Sequence, residues 1–173
     1  MANPTQIKEI AERNAEMLTL KPARGYLTGI TTARLADGLR CEIAEGPWKL
    51  TADMPVKAGG EETAPTPGML GRGALASCLV IGISMWAARL GVPIDALEVE
   101  VEGDFDARGE LGVGDVSPGY QEVRYLISLD SPAPQQAIAE LIETAERHSP
   151  YVDVFSRSQS MKRTLRLNGG EVT

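Results

Sequence analysis

The stretch PGMLGRGALASCLVIGISMWAARLG, residues 67–91, decides how this chain folds. Pro67 suits the first turn of a helix, and Gly91 is typical of the position just after the last turn. The residues between them are nearly all small or apolar, so the segment predicts a long helix in the protein interior. Arg72 and Arg89 interrupt the apolar run, and we therefore predict that this helix does not span a membrane.

Cys78 lies near the centre of this predicted helix. A free buried cysteine usually packs as a small apolar residue, but a thiol can also serve as a nucleophile when its surroundings activate it. The helix N-terminus is too far away to stabilise a thiolate at Cys78. A catalytic Cys78 would therefore need an arginine or another cation brought in by the fold, and both interpretations stay open at this point.

The composition indicates one soluble domain of 173 residues with a formal net charge of −7 at pH 7. This acidic balance argues against nucleic acid as a partner, because phosphate binding needs a clustered basic face. The first twenty residues are polar and amphipathic, and they lack the apolar core of a secretory signal. Cys41 and Cys78 make no disulfide framework, so we expect a cytoplasmic protein with reduced thiols.

The order of the predicted elements indicates an α+β fold. Residues 1–22 form an accessory helix, over 5–20 with Thr5 as its cap, that leans on the body or on a partner subunit. The main domain is 23–173. Its elements are strands 26–35, 39–44 and 48–53, a loop 54–66, the helix 67–91, strands 94–106 and 120–130 around a loop 107–119, a helix 134–147, a short helix from Ser149-Pro150, and a strand 160–168. Strands and helices do not alternate regularly, which argues against a doubly wound sheet.

Three other motifs are better explained by structure than by chemistry. Glycines in residues 68–73 match neither dinucleotide-binding nor P-loop spacing. The aspartates of residues 104–115 resemble a calcium loop in spacing but lie between strands, which favours a hairpin loop. His148 is the only histidine, and one histidine with two cysteines makes a poor zinc set. We predict neither a metal nor a cofactor.

Three segments together resemble the OsmC/Ohr family of thiol-dependent hydroperoxide reductases: PTPGMLGRGALASCL, VEVEGDFDARG and AERHSPYV. The resemblance covers about residues 25–168. It implies an OsmC-like α+β fold with curved antiparallel sheets around a long central helix. It also implies an intertwined homodimer whose active sites lie at the subunit interface.

The resemblance makes Cys78 the peroxidatic thiol, which attacks the hydroperoxide O–O bond and becomes a sulfenic acid. In the family, a second cysteine resolves this sulfenic acid as a disulfide, and an arginine held by a glutamate stabilises the thiolate. For the arginine, Arg34 is the first candidate, with Arg40 and Arg24 as alternatives.

The chain departs from the family pattern at two positions. Ser149 stands at the position of the resolving cysteine, and Gly68 at that of the glutamate; Glu61 and Glu62 lie in the preceding loop. Cys41 is an alternative resolving thiol. These departures leave two functions in competition.

The first function is a divergent OsmC-like peroxidase that reduces organic hydroperoxides through Cys78 and is regenerated by an external small thiol or dithiol. Apolar walls suited to an alkyl tail would come from Leu75, Leu79, Met85 and Trp86. The second is a non-catalytic dimer of the same fold that binds a small apolar ligand or partner, with Cys78 only packing.

Overall fold

The computed structural model describes residues 3–172. Its helices are α1 Pro4–Leu20, α2 Pro67–Leu90, α3 Ala107–Glu110, α4 Gln135–Arg147 and α5 Pro150–Ser156, with 3-10 turns at Pro22–Gly25 and Val56–Ala58. Its strands are β1 Thr32–Asp37, β2 Arg40–Glu45, β3 Trp48–Ala52, β4 Ala96–Phe105, β5 Tyr120–Asp130, β6 Leu165–Leu167 and β7 Gly170–Val172. All strand pairs are antiparallel, so the predicted α+β class is confirmed.

Helix α2 is the 24-residue central element, and its predicted ends are confirmed. The Thr66 hydroxyl accepts a hydrogen bond from the Met69 backbone N–H and caps the first turn. Gly91 ends the helix in the left-handed conformation, with φ of 70°, where a side chain would be strained. The residues next to its two ends, Thr66 and Gly91, therefore determine where the helix begins and ends.

The core forms where α2 packs on α4 and on the inner face of the β4–β5 ribbon. Its buried centre consists of Ile83, Ala87, Leu141 and Ala145. Apolar side chains from α2, α4 and both strands surround this centre. Burial of each large aliphatic side chain contributes about 1.5–3 kcal/mol. This core holds α2 in place, and α1 and α5 also lie against α2.

The β1–β2–β3 sheet has one apolar and one polar face. Cross-strand partners share a face, so two rows of three residues lie on the same side: Leu35–Cys41–Ala52 and Ala33–Ile43–Leu50. Arg34, Glu42 and Thr51 occupy the other. Among the described residues no helix packs extensively on this sheet. Leu35 is 74% exposed and Leu50 58%, so much of an apolar face has no cover within the chain.

Helix α2 also shows a large uncovered apolar surface. It is long and apolar enough to cross a membrane by length and composition alone, yet it occupies the core position of the fold. Only 22% of its most apolar 18 residues are buried. Together with the sheet, this exposure indicates that the single chain leaves much of its apolar surface open to a partner.

Several predicted boundaries are wrong. The α1 cap is Asn3, not Thr5, through a reciprocal pair of hydrogen bonds with Gln6. Residues 26–31 form no strand, and β1 starts at Thr32. The loop 107–119 contains the short helix α3, capped by Asp106.

The strand predicted over 160–168 is also corrected. Only Leu165–Leu167 is extended there, and it pairs with β7 in a hairpin. Asn168 and Gly169 form the turn, both with positive φ. This Asn-Gly pair is the strongest short-range hairpin signal a sequence offers.

Candidate functional site

Cys78 and Ser149 form the centre of the candidate site. The Cys78 Sγ atom lies 3.4 Å from the Ser149 Oγ atom. Cys78 is half-buried on α2, whereas Ser149 is only 5% exposed, at the start of α5. The packing of α5 on α2 therefore brings together two residues separated by 71 positions in the chain.

Ser149 is placed by its role as the N-cap of α5. Its hydroxyl accepts a hydrogen bond from the Val152 N–H at 3.4 Å, and its carbonyl accepts one from Asp153 N–H. Pro150 is the first helical residue, a position that proline favours. The Ser-Pro pair thus fixes both the start of the helix and the direction of the hydroxyl.

An aromatic and cationic cluster lies further along α2. The Trp86 and His148 rings are 4.8 Å apart between centroids, and the Arg89 guanidinium lies 4.1 Å from the Trp86 centroid. His148 terminates α4, and its Nδ1 lies 2.8 Å from the Thr144 carbonyl oxygen. His148 is therefore the helix C-terminal residue that the sequence predicts.

A cavity of about 650 Å³ opens one helical turn away from the Cys78–Ser149 pair. Leu75, three residues before Cys78, and Val152, three residues after Ser149, both line it. Tyr120 and Phe155 supply aromatic walls and stack with their centroids 6.3 Å apart. A cavity of this size suits a small organic molecule.

The predicted wall residues are distributed differently. Of the four, Leu75 lines this cavity and Leu79 is buried within the chain. Met85 is 42% exposed, and Trp86 packs against the core. The aromatic lining from Tyr120 and Phe155 was missed because β5 and α5 meet α2 only in the tertiary fold.

The position of the family glutamate, Gly68, lies in a small polar network at the first turn of α2. The Tyr120 hydroxyl donates to the Gly68 carbonyl at 3.3 Å, and Arg72 Nη1 donates to the Tyr120 oxygen at 3.1 Å. A Cβ at position 68 would lie 3.5 Å from Arg72 Nη1. Arg72 is thus a cation near this position that the sequence analysis did not single out as functional.

The loop between β3 and α2 is organised by a buried carboxylate. Asp53, only 1% exposed, accepts hydrogen bonds from the Met54 N–H, the Thr63 N–H and the Thr63 hydroxyl. The two Thr63 bonds are the main reason that the pKa of Asp53 lies below its usual range. Glu61 and Glu62 are exposed in this loop, and neither makes an ion pair within residues 3–172.

The sheet β1–β3 carries two further candidates, Arg34 and Cys41, on opposite faces. Arg34 is exposed on the polar face, where its cross-strand partner is Glu42. Cys41 lies on the apolar face between Leu35 and Ala52. A site covered by one face of this sheet can therefore receive only one of the two side chains.

No candidate arginine reaches the thiol within the described chain. Arg40 lies two residues before Glu42 on β2 and therefore shares its polar face. Arg24 lies in the turn after α1. No hydrogen bond or ion pair in residues 3–172 joins Cys78 to a cation. In the same range no three His, Cys, Asp or Glu side chains form a metal-binding group.

One family model matches more than half of this chain. A family model described as OsmC-like protein matches residues 59–162, which leaves α1 and the β1–β3 sheet outside the match. A search of curated proteins finds no match. Many solved structures share the fold.

Three of these solved structures illustrate the likeness. An OsmC-like protein from Mycoplasma pneumoniae is 18% identical, with a TM-score of 0.65 over 75% of this chain and 88% of its own. An organic hydroperoxide resistance protein from Legionella pneumophila is 22% identical (TM-score 0.53, 75% and 89% covered). A putative organic hydroperoxide resistance protein from Vibrio cholerae, with captopril in one of its active sites, is 18% identical (TM-score 0.51, 74% and 85% covered).

Proposed function

The chain belongs to the OsmC-like family, and from that premise we propose that it is a thiol-dependent peroxidase acting in the response to peroxide stress. Cys78 is the nucleophile in this proposal, and organic hydroperoxides are the substrates. The observation that carries the proposal is the position of Cys78, half-buried, in contact with a buried hydroxyl and one turn from an aromatic-lined cavity. Two fold relatives named for organic hydroperoxide resistance support the choice of substrate.

The cycle uses one protein thiol. The Cys78 thiolate attacks an oxygen of ROOH, the O–O bond breaks, and the two electrons come from sulfur. The products are the alcohol ROH, after protonation of the alkoxide, and a sulfenic acid on Cys78. A first external thiol displaces water to form a mixed disulfide, and a second thiol releases Cys78 and the external disulfide.

The cavity beside the site favours an organic substrate over hydrogen peroxide. Leu75, Val152 and Phe155 offer apolar surface to an alkyl or aryl tail, while the Tyr120 hydroxyl adds one polar group. Binding of the tail would hold the peroxide near the sulfur. Reaction within a bound complex avoids the entropy cost of bringing two free molecules together.

We propose that the thiolate-stabilising cation comes from a second copy of the chain. The exposed apolar face of β1–β3 and the partly exposed α2 together offer the area that a homodimer would cover. Arg34 remains the first candidate, since a partner's sheet could bring an arginine that the same chain does not. Because Arg34 lies on the polar face of β1–β3, this requires the polar face of the partner's sheet to lie over the site while its apolar face packs elsewhere in the dimer. Cys41 lies on the apolar face, so it could reach the site only if that face, and not the polar face with Arg34, covers Cys78.

A binding protein of the same fold is the second candidate. The absence of any cation contact to Cys78 within residues 3–172 favours it, because a cysteine nucleophile needs a neighbouring cation or base that activates it. In that case the cavity would hold a small apolar ligand. Peroxide turnover separates the two functions.

The test is the reduction of cumene hydroperoxide by the purified protein with excess dithiol. We expect multiple turnovers by the unmodified protein and a loss of at least about 100-fold in Cys78→Ser, since the nucleophile is removed. Ser77→Ala, which removes a neighbouring exposed hydroxyl from the same helix, should keep the activity. A folded protein without turnover would leave only the binding function.

A further inference from the structure

Ser149 is the buried polar group that faces the sulfur of Cys78 directly. The hydroxyl lies 3.4 Å from Sγ and is excluded from water, with the residue 5% exposed. Its position is set by α5 and is independent of Cys78, because the same serine caps that helix. The contact is therefore built into the fold of the α4–α5 corner.

The direction of the hydrogen bond between Ser149 and Cys78 is set once Cys78 is a thiolate. A serine hydroxyl has one hydrogen to donate and two lone pairs to accept with. The Val152 N–H occupies a lone pair. Within the described residues, the one acceptor within reach of the hydroxyl hydrogen is the Cys78 sulfur. When Cys78 is a thiolate it can only accept, so Ser149 must then be the donor.

We propose that Ser149 is a positioning residue which donates its hydroxyl hydrogen to the Cys78 thiolate and keeps the oxidised sulfur as a sulfenic acid. The second half of this statement rests on the proposed peroxidase function. A hydrogen bond from a neutral donor to an anion stabilises the charged form. The same bond holds the sulfur at one rotamer, toward α5.

The chemical identity of the residue decides how the cycle continues. The Ser149 hydroxyl does not condense with a sulfenic acid on Cys78. A thiol at position 149 would do so, forming an S–S bond with Cys78 and releasing water. With serine, the S–OH group has no partner at this position. The sulfenic acid on Cys78 therefore persists until an external thiol reaches the half-buried sulfur from solvent.

The first experiment measures the reactivity of the thiol alone. In a Cys41→Ser background, we compare the rate of alkylation by iodoacetamide at pH 7 for Ser149→Ala, Ser149→Thr and Ser77→Ala. Losing one hydrogen bond removes a stabilising contact from the reacting sulfur. We expect alkylation about two- to fourfold slower in Ser149→Ala.

The companion variants separate this effect from damage to the fold. Ser149→Thr keeps a hydroxyl and should restore the rate, and Ser77→Ala should not change it because Ser77 bonds to its own helix at Ala74. Ser149→Ala also removes the N-cap of α5. Asn3→Ala removes the N-cap of α1, far from the site, and so shows whether loss of a helix cap by itself changes the alkylation rate. Equal rates in Ser149→Ala and Ser77→Ala would overturn the proposal.

The second experiment uses Ser149→Cys, again with Cys41 replaced by serine. The short Sγ–Oγ distance predicts that a sulfur at position 149 can reach the disulfide bond length by a small side-chain rotation. Treatment with diamide, a disulfide-forming reagent that needs no peroxidase activity, should close a disulfide between Cys78 and the introduced thiol. Ser77→Cys, exposed beside Cys78 on the same helix, should not close one. Failure of Ser149→Cys with diamide would overturn the geometry.

Cumene hydroperoxide then replaces diamide. Protein with Ser149 should gain one oxygen as a sulfenic acid on Cys78, whose sulfur forms a thioether with dimedone and releases water, while Ser149→Cys should lose two hydrogens as the disulfide forms. If diamide closes the disulfide but hydroperoxide leaves both proteins unchanged, the peroxidase function fails. The role of the hydroxyl toward the thiolate is then decided by the alkylation rates.

Discussion

At the scale of single residues, the site depends on which atoms surround one sulfur. Cys78 has a hydroxyl neighbour and no cation within the described chain. A hydrogen bond from serine contributes less than an ion pair to an arginine, so Ser149 alone makes a modest thiolate stabiliser. In the proposed peroxidase the remaining stabilisation comes from a second copy of the chain, which links the chemistry of one residue to the proposed assembly.

Part of this site could be predicted from the sequence. The segment around Cys78 and the segment around Ser149 can each be found from local residues, and a resemblance links them. The Arg72–Tyr120–Gly68 network could not be predicted, because its bonds join residues 48 and 52 positions apart through the packing of β5 on α2. Contacts of this kind follow from tertiary geometry, which no local pattern encodes.

Asp53 gives a prediction about pH at the residue scale. Its pKa lies below the usual 3.8 because of the hydrogen bonds from Thr63. Such a carboxylate contributes stability above its unfolded pKa, and this contribution is lost as the pH falls through the lower folded pKa. Asp53→Asn should therefore be less stable than the unmodified protein at about pH 6, with a difference that shrinks below pH 3.8.

The measurement is urea unfolding of both proteins at a series of pH values from about 6 to well below 3.8. Asp153→Asn serves as a control, since that carboxylate also has a lowered pKa but pairs with Arg157 on the surface of α5. A stability difference for Asp53→Asn that stays constant down to the lowest pH would show that the carboxylate charge is not what holds the loop.

At the scale of secondary structure elements, capping residues fix the ends of the long helices. Thr66 and Gly91 bound α2 as the sequence predicts. Asn3 replaces the expected Thr5 on α1 because Asn3 and Gln6 exchange two hydrogen bonds, whereas Thr5 would leave Pro4 outside the helix. Most element types could thus be predicted from the sequence. The errors fell at element ends, in the loop that contains α3, and in the β6–β7 hairpin.

The loop before α2 gives a prediction at this scale. A Cβ on Gly60 would lie 2.0 Å from the Met54 carbonyl oxygen and 2.8 Å from Asp53 Oδ1. Both neighbours are held in place, so Gly60→Ala should lower the free energy of unfolding by about 1–3 kcal/mol. Urea unfolding at a fixed protein concentration measures the change.

Gly29→Ala is the matched control for that prediction. A Cβ there would meet the Glu45 side chain at 3.6 Å, an ordinary contact, so the change in stability should stay within about 0.5 kcal/mol. Equal stabilities of the two variants would mean that the loop tolerates a shift of its backbone at Gly60.

At the scale of the whole molecule, the uncovered apolar surfaces are the surfaces that the proposed homodimer would cover. The apolar face of β1–β3 includes Leu35 and Leu50, and Trp48 extends it with 76% exposure. Monomeric proteins rarely leave continuous apolar patches of this kind in water. The sequence predicted three strands here, but what covers their apolar face depends on contacts that one chain does not contain.

Two substitutions with equal change in charge test this. Leu50→Glu places a charge on the apolar face, and Thr32→Glu places one on the polar face of the same sheet. We expect a dimer for the unmodified protein and for Thr32→Glu, and at least about tenfold weaker dimerisation for Leu50→Glu, since a buried unpaired charge is costly. Light scattering after size exclusion gives the masses. A monomeric unmodified protein would contradict the proposed assembly.

The most direct test of the account is hydroperoxide turnover by the Cys41→Ser variant, in which Cys78 is the one remaining cysteine. The account predicts that this variant reduces cumene hydroperoxide with excess dithiol at a rate within about twofold of the unmodified protein, because no second protein thiol takes part. Loss of turnover in Cys41→Ser, with the fold and the dimer intact, would contradict a one-cysteine cycle and assign resolution to Cys41.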